Sequence, residues 1–334
     1  MRRLSLIAAL SLVFAPQLAA HPHPEGEIVD LVDPEVCLAR EAEKPAEVPA
    51  PVQDYEPSPA MWKIADEDTT IYLFGTYHLL PEGFRWRTPL LDQVVRDTDE
   101  VVFESRDEED SRDDPLSGEN LRFFQLMSEY RAEVPLSLRI EPRNVPKLKR
   151  LLEQANIPLS RAEYAPPLMT MFRIAISVSE MEGSRGELGV ESILEADYRA
   201  DGRPISAIED PVQVLENLFK IDERELVKGI DESLDTWDGC EFFSAEDVDW
   251  SSEHSWAKGD LEGLNLEESF DGPFGEAFYK ALLVDRNLEW AGWVKDRMTR
   301  PGNLLLAVGA GHMEGPDSLV PMLEARGFTV ERIQ

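Results

Sequence analysis

Apolar residues follow a strand-like pattern near both ends of the chain and a helical pattern between them. Near the amino-terminal end, residues 61–65, 70–74 and 100–104 are rich in β-branched and large apolar residues, which predicts three strands. Near the carboxyl end, residues 304–308 and 329–333 predict two more. The pattern therefore predicts an α/β fold in which both ends of the chain contribute to one central mixed β-sheet.

Apolar residues spaced three and four apart predict helices elsewhere. Residues 89–96 predict a helix with Thr88 as its cap and Pro89 at its first position. Most of the region 116–183 is helical by the same criterion, so we expect a mostly helical insert between the two strand-rich ends. Further predictions are a strand at 204–208 and helices from 211 onwards, two between 244 and 268, and one each at 272–298 and 317–326.

Two of the predicted strands end in the same local pattern. The segment TTIYLFGTYH ends at His78, and NLLLAVGAGH ends at His312. Each continues into a loop, a helical pattern and a second apolar run, which predicts two related strand–Gly-x-x-His–helix–strand halves. We expect Gly75 and Gly309 to let the backbone turn sharply at the strand ends. Because the carboxyl ends of parallel strands meet at one sheet edge, His78 and His312 are expected to lie close together.

A pair of histidines at a sheet edge is typical of a metal site. Two neutral imidazoles at His78 and His312 would bind a divalent transition metal such as Mn, Co or Zn. The alternative is that each histidine caps a helix or satisfies a loop carbonyl. Glu104 ends a strand that is otherwise apolar, and a buried carboxylate needs a metal or an arginine as partner. Glu104 is therefore predicted to be the third metal ligand or a general base. Glu209 also ends a predicted strand, and it is a weaker candidate for a role in the site.

Arg286 and Asn287 lie on the predicted long helix, shortly before the second Gly-x-x-His segment. Arg286 could pair with Glu104 or stabilise an oxyanion. The alternative is a surface ion pair, which the sequence alone favours. His254, the one other histidine of the predicted body, lacks the strand-and-loop context and is predicted to be a surface or structural residue.

The amino-terminal segments have compositions unlike the rest of the 334-residue chain. Residues 1–20 combine two arginines, a short apolar run and small residues, which is typical of a secretory signal peptide. Residues 21–58 are rich in Pro and Glu and predict an extended segment, leaving 59–334 as one folded domain. Because no later stretch approaches ~20 apolar residues, we expect no transmembrane helix. The sequence predicts a periplasmic or secreted protein.

The net charge limits the partners that the protein can bind, and the cysteines bear on its location. The formal net charge of −33 excludes partners that are themselves polyanionic, so no nucleic acid is expected. It also allows either a solvated acidic surface or attraction of a cationic substrate. Cys37 and Cys240 are the only cysteines, and export to an oxidising compartment predicts a disulfide between them. The alternative is a pair of unpaired thiols.

These motifs, in this order, resemble the TraB/PrgY/GumN family over the chain from about residue 60 to its end. The resemblance rests on the two Gly-x-x-His segments, DEVVFE, GVE, GRPISAIED and DRN. It places the family's histidines on His78 and His312, its acidic residue on Glu104, and its Arg-Asn pair on Arg286 and Asn287. Where the family often has Gly-x-Asp, this chain has Gly189-Val190-Glu191, with a longer acidic side chain. Relatives include the Tiki metal-dependent proteases and, more distantly, erythromycin-esterase-like and haem-binding proteins.

Two functions follow as hypotheses from the motifs and the resemblance. The first is an exported metal-dependent hydrolase, with a peptidase as the favoured kind and a peptide or small molecule as its substrate. The second is a periplasmic binding protein that sequesters a peptide or a small cofactor without turnover. A third hypothesis is a scaffold in which the two histidines only shape their loops.

Overall fold

A mixed six-stranded sheet lies at the centre of the computed structural model, which describes residues 28–42, 47–106, 114, 116–264, 270 and 275–334. In this part of the chain the strands are β1 (Met61–Ala65), β2 (Thr69–Thr76), β3 (Leu80–Pro81), β4 (Glu100–Phe103), β5 (Ser184–Arg185), β6 (Ile205–Ala207), β7 (Gly302–Gly309) and β8 (Glu331–Arg332). The sheet order is β6-β4-β7-β2-β1-β8, and β3 pairs separately with β5. Strands β6, β4, β7 and β2 are mutually parallel, whereas β1 is antiparallel to both its neighbours.

Helices surround the sheet and fill the chain between β4 and β7. Over the described residues the α-helices are α1 (Pro34–Glu41), α2 (Pro89–Asp97), α3 (Gly118–Glu129), α4 (Val145–Gln154), α5 (Leu159–Ala162), α6 (Pro167–Met181), α7 (Val190–Ala200), α8 (Pro211–Leu218), α9 (Glu223–Thr236), α10 (Ser251–Ala257), α11 (Gly275–Tyr279), α12 (Asp285–Arg297) and α13 (Leu319–Glu324). A π-helix, Lys280–Val284, joins α11 to α12. The chain is therefore helical without interruption from residue 275 to residue 297.

The central strand β7 shows why the sheet is buried on both faces. Its side chains alternate: Leu305 and Ala307 lie on one face, and Leu304, Leu306 and Val308 lie on the other. The first face packs against residues of α2, α7 and α10, and the second against α12 and α13. A parallel strand covered by helices on both sides requires a nearly continuous apolar run, which is what the sequence of β7 provides.

The helical insert has apolar cores of its own. One cluster joins α4, α6 and α9 through residues such as Leu148, Ile174 and Leu234. A second joins α3, α6, α8 and the π-helix through residues such as Leu168 and Leu218. The predicted fold class, an α/β domain with a central mixed sheet and a mostly helical insert, is confirmed.

Predictions of element ends agree with the structure where the sequence contains a recognisable helix cap. The Thr88 hydroxyl accepts a hydrogen bond from the Leu91 N–H (3.1 Å), and Pro89 starts α2 as predicted. The predicted strands are present with ends shifted by up to a few residues. Within 244–268, where two helices were predicted, the described residues contain α10, with 3₁₀ turns at Ala245–Asp247 and Glu262–Leu264 on either side, and residues 265–268 lie outside the described residues.

The amino-terminal segment departs from its prediction at α1. An extended conformation was expected throughout 21–58, and this was wrong for residues 34–41. Asp33 caps the helix by accepting a hydrogen bond from the Glu35 N–H (2.8 Å), and Pro34 occupies its first turn, where no N–H is needed. The predicted signal peptide, residues 1–20, lies outside the described residues.

A disulfide ties α1 to the body of the protein. It joins Cys37 to Cys240 across 203 residues of sequence, which confirms the predicted pairing. Beside it, the Lys147 ammonium donates to the carbonyls of Val29 and Leu234, both at 2.6 Å. Over the described residues, no helix has the length and apolar composition needed to cross a membrane.

Candidate functional site

Four neighbouring parallel strands each deliver one polar side chain to the same edge of the sheet. In sheet order β6-β4-β7-β2, these side chains are Glu209, Glu104, His312 and His78. Glu104 follows directly on β4, and the Glu209 N–H donates to the Glu104 carbonyl (3.0 Å), which keeps the two acids side by side. The carboxyl ends of parallel strands are where ligands bind in α/β sheets.

Glu104 lies between the two histidines. One of its oxygens, Oε1, is 3.9 Å from His78 Nε2, and the other, Oε2, is 3.8 Å from His312 Nε2. All three side chains are at least nine-tenths shielded from solvent, with His78 the most exposed. The residues predicted from the two Gly-x-x-His segments and from the strand end at Glu104 therefore lie together.

The glycines of the two segments provide space, which differs from the prediction that they allow a sharp turn. Neither Gly75 nor Gly309 has a positive φ. A Cβ at Gly309 would lie 3.2 Å from His78 Nε2 and 3.4 Å from Glu104 Oε2. A Cβ at Gly75 would lie 3.1 Å from the Cα of Ala310. A side chain at Gly309 would fill the centre of the site, and one at Gly75 would separate the two strand ends.

The turns that carry the histidines differ. Strands β2 and β7 are adjacent, with Thr76 opposite Gly309, so the segments leave the sheet together. His312 lies in a 3₁₀ turn, Ala310–Met313, whereas His78 lies in a loop two residues beyond β2. That the two halves are related copies stays a prediction.

Helix α7 supplies the partner of His78. Nδ1 of His78 forms an ion-pair contact with Glu191 Oε1 at 2.7 Å, and the carboxylate favours a proton on Nδ1. The Thr76 hydroxyl also donates to this carboxylate oxygen. Burial alone would lower the pKa of His78, but the Glu191 and Glu104 carboxylates outweigh it and raise the pKa. His78 is thus held with Nδ1 protonated and Nε2 facing Glu104.

Helix α12 supplies the partners of His312. Nδ1 of His312 is 2.7 Å from Asn287 Oδ1, and Nε2 is 3.3 Å from Nη1 of Arg286. Because a guanidinium can only donate, Nε2 carries the lone pair and Nδ1–H donates to Asn287. Burial, reinforced by the positive charge of Arg286, holds the pKa of His312 well below its usual range. The two histidines therefore share an orientation but differ in their affinity for a proton.

Glu104 is ionised despite being buried. Its Oε2 accepts the Gly309 N–H (3.0 Å), and its Oε1 is 3.3 Å from Nη2 of Arg286. Burial alone would raise its pKa, but Arg286, the two histidines and the Gly309 N–H lower it to about 2. The carboxylate is therefore ionised near neutral pH.

Arg286 holds the acidic side of the site together, and the expectation of a surface ion pair was wrong because the side chain is buried. Its Nε lies 3.1 Å from both oxygens of Glu209, and Nη2 reaches Glu209 and Glu104. Nη1 donates to the Leu282 carbonyl (3.0 Å) and to His312. All five N–H donors thus face protein acceptors, which makes Arg286 a positioning residue and leaves none for a substrate oxyanion.

Trp290 is a member of the site that the sequence did not reveal. Its indole N–H donates to Glu209 Oε2 (2.9 Å), and its ring centroid lies 4.2 Å from that of His312. Trp290 is four residues after Arg286 and three after Asn287, so it shares their face of α12. This helical spacing is the sequence feature that could have identified Trp290 as a site residue. Burial raises the pKa of Glu209 in spite of these contacts.

The donor atoms at the centre fit a divalent transition metal in their chemistry. Two imidazole Nε2 atoms and one ionised carboxylate converge, and each histidine is oriented through Nδ1 by an oxygen acceptor, as metal-binding histidines are. The separations of 3.8 and 3.9 Å exceed the roughly 3.0–3.4 Å expected between neighbouring ligands on such an ion. Over the described residues, no group of three or more His, Cys, Asp or Glu side chains is already spaced for a metal. Holding one would require Glu104 and the histidines to move together by about half an ångström.

His254 lies outside this site. Its Nδ1 is 2.7 Å from the Tyr55 hydroxyl, and its ring packs near Phe84. This placement agrees with a structural role and makes His254 a useful control for the two histidines of the site.

Comparison with known proteins identifies the family. A sequence profile of the TraB/PrgY/gumN family matches residues 60–332, which covers β1 to β8 and every residue of the site. No curated protein and no solved structure matches the chain. The chain therefore belongs to the TraB/PrgY/gumN family.

Proposed function

We propose that the protein is an exported metal-dependent hydrolase, with peptides as the substrate class, whose metal is held by His78, His312 and Glu104. The observation that carries the proposal is the convergence of the two Nε2 atoms on the two oxygens of one carboxylate. Nitrogen and oxygen lone pairs that face one another repel unless a proton or a cation lies between them, and one divalent ion would compensate all three groups at once. Mn, Co and Zn are the ions that this donor set favours.

The protein's own groups prepare this centre. Glu191 and Asn287 each accept the Nδ1 proton of one histidine, which turns both Nε2 lone pairs inward. A bound divalent ion would supply a Lewis acid for the scissile carbonyl and a water of lowered pKa. A carboxylate with a pKa of about 2 is a poor general base near neutral pH, so Glu104 acts as a ligand.

The partial exposure of His78 and Glu191 gives the direction of substrate approach. Their side chains are 10% and 16% exposed, compared with 3% for Glu104. A peptide would therefore reach the centre from the β2 side, while α12 closes the opposite side. With a raised pKa in the metal-free protein, His78 forms the part of the site that exchanges protons with solvent.

Export is part of the proposal. A disulfide forms and persists in oxidising compartments, and the bond between Cys37 and Cys240 supports a periplasmic or secreted location for the protein. With a net charge of −33, the surface would repel nucleic acid and favour cationic or neutral peptides.

A second candidate function is binding without turnover. It is favoured by Arg286, whose guanidinium already lies 3.3 Å from both Glu104 Oε1 and His312 Nε2. The carboxylate thus has a cation beside it without any metal, and the centre could hold a peptide or small cofactor rather than hydrolyse it.

Peptide cleavage distinguishes the two functions. Chelator-treated protein would be incubated with a peptide library after addition of Mn, Co or Zn, and products would be identified by mass spectrometry. We expect cleavage that depends on added metal, is lost in Glu104→Gln, and is retained in the control His254→Ala. Peptide retention without any product, with every metal, would favour the binding function and contradict hydrolysis.

A further inference from the structure

A cavity in the helical insert is lined by three arginines. Its volume is about 280 Å³, and Arg131, Arg161 and Arg173 contribute to its wall. Arg131 follows α3, Arg161 is on α5, and Arg173 is on α6. The rest of the wall is largely apolar and includes Met127, Ile157, Tyr164 and Met169. No residue of this wall belongs to the site at the sheet edge.

These arginines lack the carboxylate partners that Arg139 and Arg143 of the same insert have. The chain carries 66 acidic residues against 33 basic ones, so a carboxylate is available to most cations. Arg139 pairs with Glu223 (2.7 Å), and Arg143 pairs with Asp235 (2.8 Å). Within the described part of the chain, the guanidiniums of Arg131, Arg161 and Arg173 form neither an ion pair nor a hydrogen bond.

The local surroundings concentrate this positive charge. The Arg131 guanidinium lies 4.8 Å from the centroid of the Tyr164 ring, which fixes it at the cavity by a cation–π contact. Arg173 is half-buried, and burial together with the charge of Arg161 lowers its pKa. The three like charges around this cavity repel one another, and an anion bound between them would relieve that repulsion.

We propose that this cavity binds a small organic phosphate monoester, with the phosphate held by Arg131, Arg161 and Arg173 and the organic group against the apolar wall. Guanidinium groups match phosphate oxygens through paired N–H donors, and three positive charges suit a dianion better than a monocarboxylate. A volume of about 280 Å³ is at the lower end for ligand pockets, which limits the ligand to a small molecule. The proposal is independent of hydrolysis at the sheet edge.

Calorimetric titration of the full-length protein with phenyl phosphate tests the proposal. Benzyl alcohol serves as the uncharged probe, benzoate as the monoanion, and inorganic phosphate as the anion without an organic group. We expect phenyl phosphate to bind with a dissociation constant below 1 mM at low salt, more tightly than the other three. Absence of binding, or equal binding of benzoate, would overturn the proposal.

Variants locate the binding. Arg161→Gln and Arg131→Gln change exposed side chains, so the fold should tolerate them, and each is expected to weaken phenyl phosphate binding at least tenfold. Arg224→Gln removes the same charge from a side chain that is 90% exposed and paired with Asp222, and it should leave binding unchanged. Equal weakening in all three would show an effect of net charge alone, and no weakening in the first two would exclude the cavity.

Discussion

His78 and His312 follow adjacent strands in the same Gly-x-x-His sequence, yet their pKa values are shifted in opposite directions. His78 faces a carboxylate, Glu191, and its pKa is raised. His312 faces an amide, Asn287, and the cation of Arg286, and its pKa is lowered. The strand ends set where the imidazoles lie, and the helices α7 and α12 set which of them carries a proton.

The difference shows how one site can combine a common orientation with distinct reactivity. Both Nε2 atoms point at Glu104 because both Nδ1 atoms donate to an oxygen. A carboxylate and an amide orient an imidazole equally well, but only the carboxylate stabilises its protonated form. Exchanging these two partners, or removing the cation beside one of them, should therefore change one histidine without displacing the other.

The largest effect is expected from Arg286→Met. It leaves Glu104 and Glu209 buried without their shared counter-charge, which should lower the free energy of unfolding by about 3–5 kcal/mol. It should also raise the pKa of His312, because Arg286 is one of the groups that lower it. Urea unfolding followed by tryptophan fluorescence measures the first effect, and NMR titration of the folded protein measures the second. Arg224→Met is the exposed control, and a loss below about 1 kcal/mol would contradict the role assigned to Arg286.

A smaller effect is expected from Gly309→Ala, which affects both histidines together. The new Cβ would lie 3.2 Å from His78 Nε2 and 3.6 Å from His312 Cδ2, and relieving this crowding should cost about 1–3 kcal/mol. Metal binding should weaken at least tenfold. The matched control is Gly292→Ala in α12, where a Cβ would meet nothing within 4 Å and helix propensity predicts a gain of about 0.5–1 kcal/mol. Thermal unfolding and metal titration are measured on both variants. A loss in Gly309→Ala but not in Gly292→Ala would show crowding in the site rather than a general effect of replacing glycine by alanine.

The smallest effects are expected from exchanging the histidine partners in metal-free protein. Glu191→Gln should lower the pKa of His78, and Asn287→Asp should raise the pKa of His312. NMR titration of the imidazole protons measures both shifts. If either substitution moved the pKa of the other histidine instead, the assignment of partners would be wrong.

The same substitutions should change how stability depends on pH. The pKa of His78 is raised above its usual 6.5, so its stabilisation is present below pH 6.5 and is lost as pH rises through the folded pKa. The pKa of His312 is lowered, so stability is lost as pH falls below 6.5, where the unfolded chain binds the proton better. Glu191→Gln should remove the first contribution and leave that of His312, which rises with pH across this range.

The sequence predicted the sheet edge well because local patterns determine it. Apolar runs predicted the strands, and polar residues directly after those runs identified His78, His312, Glu104 and Glu209 as neighbours at one edge. The Thr88 and Pro89 cap was predicted for the same reason, since its chemistry lies within a few consecutive residues.

The sequence named Arg286 as a possible partner of Glu104, but it did not show which side chain each histidine contacts, because tertiary packing brings those partners from distant positions. Glu191 is 113 residues from His78, and only the docking of α7 against the sheet brings it within 2.7 Å. Arginine side chains usually lie on the protein surface, so nothing in the sequence indicated that Arg286 is buried. Its burial follows from the packing of α12 over the strand ends. The role of the glycines was also hidden, because the space that Gly309 leaves empty is defined by side chains from three different strands.

Metal stoichiometry tests most directly whether the two histidines and Glu104 form one centre. Wild type, His78→Ala/His312→Ala and the control His254→Ala would be purified identically without chelator, soaked with Mn, Co or Zn, desalted and measured by mass spectrometry. The predicted result is close to one equivalent of metal in wild type and in His254→Ala, and none in the double variant. No metal in wild type with any of the three ions, or equal metal in the double variant, would contradict a metal centre at this sheet edge.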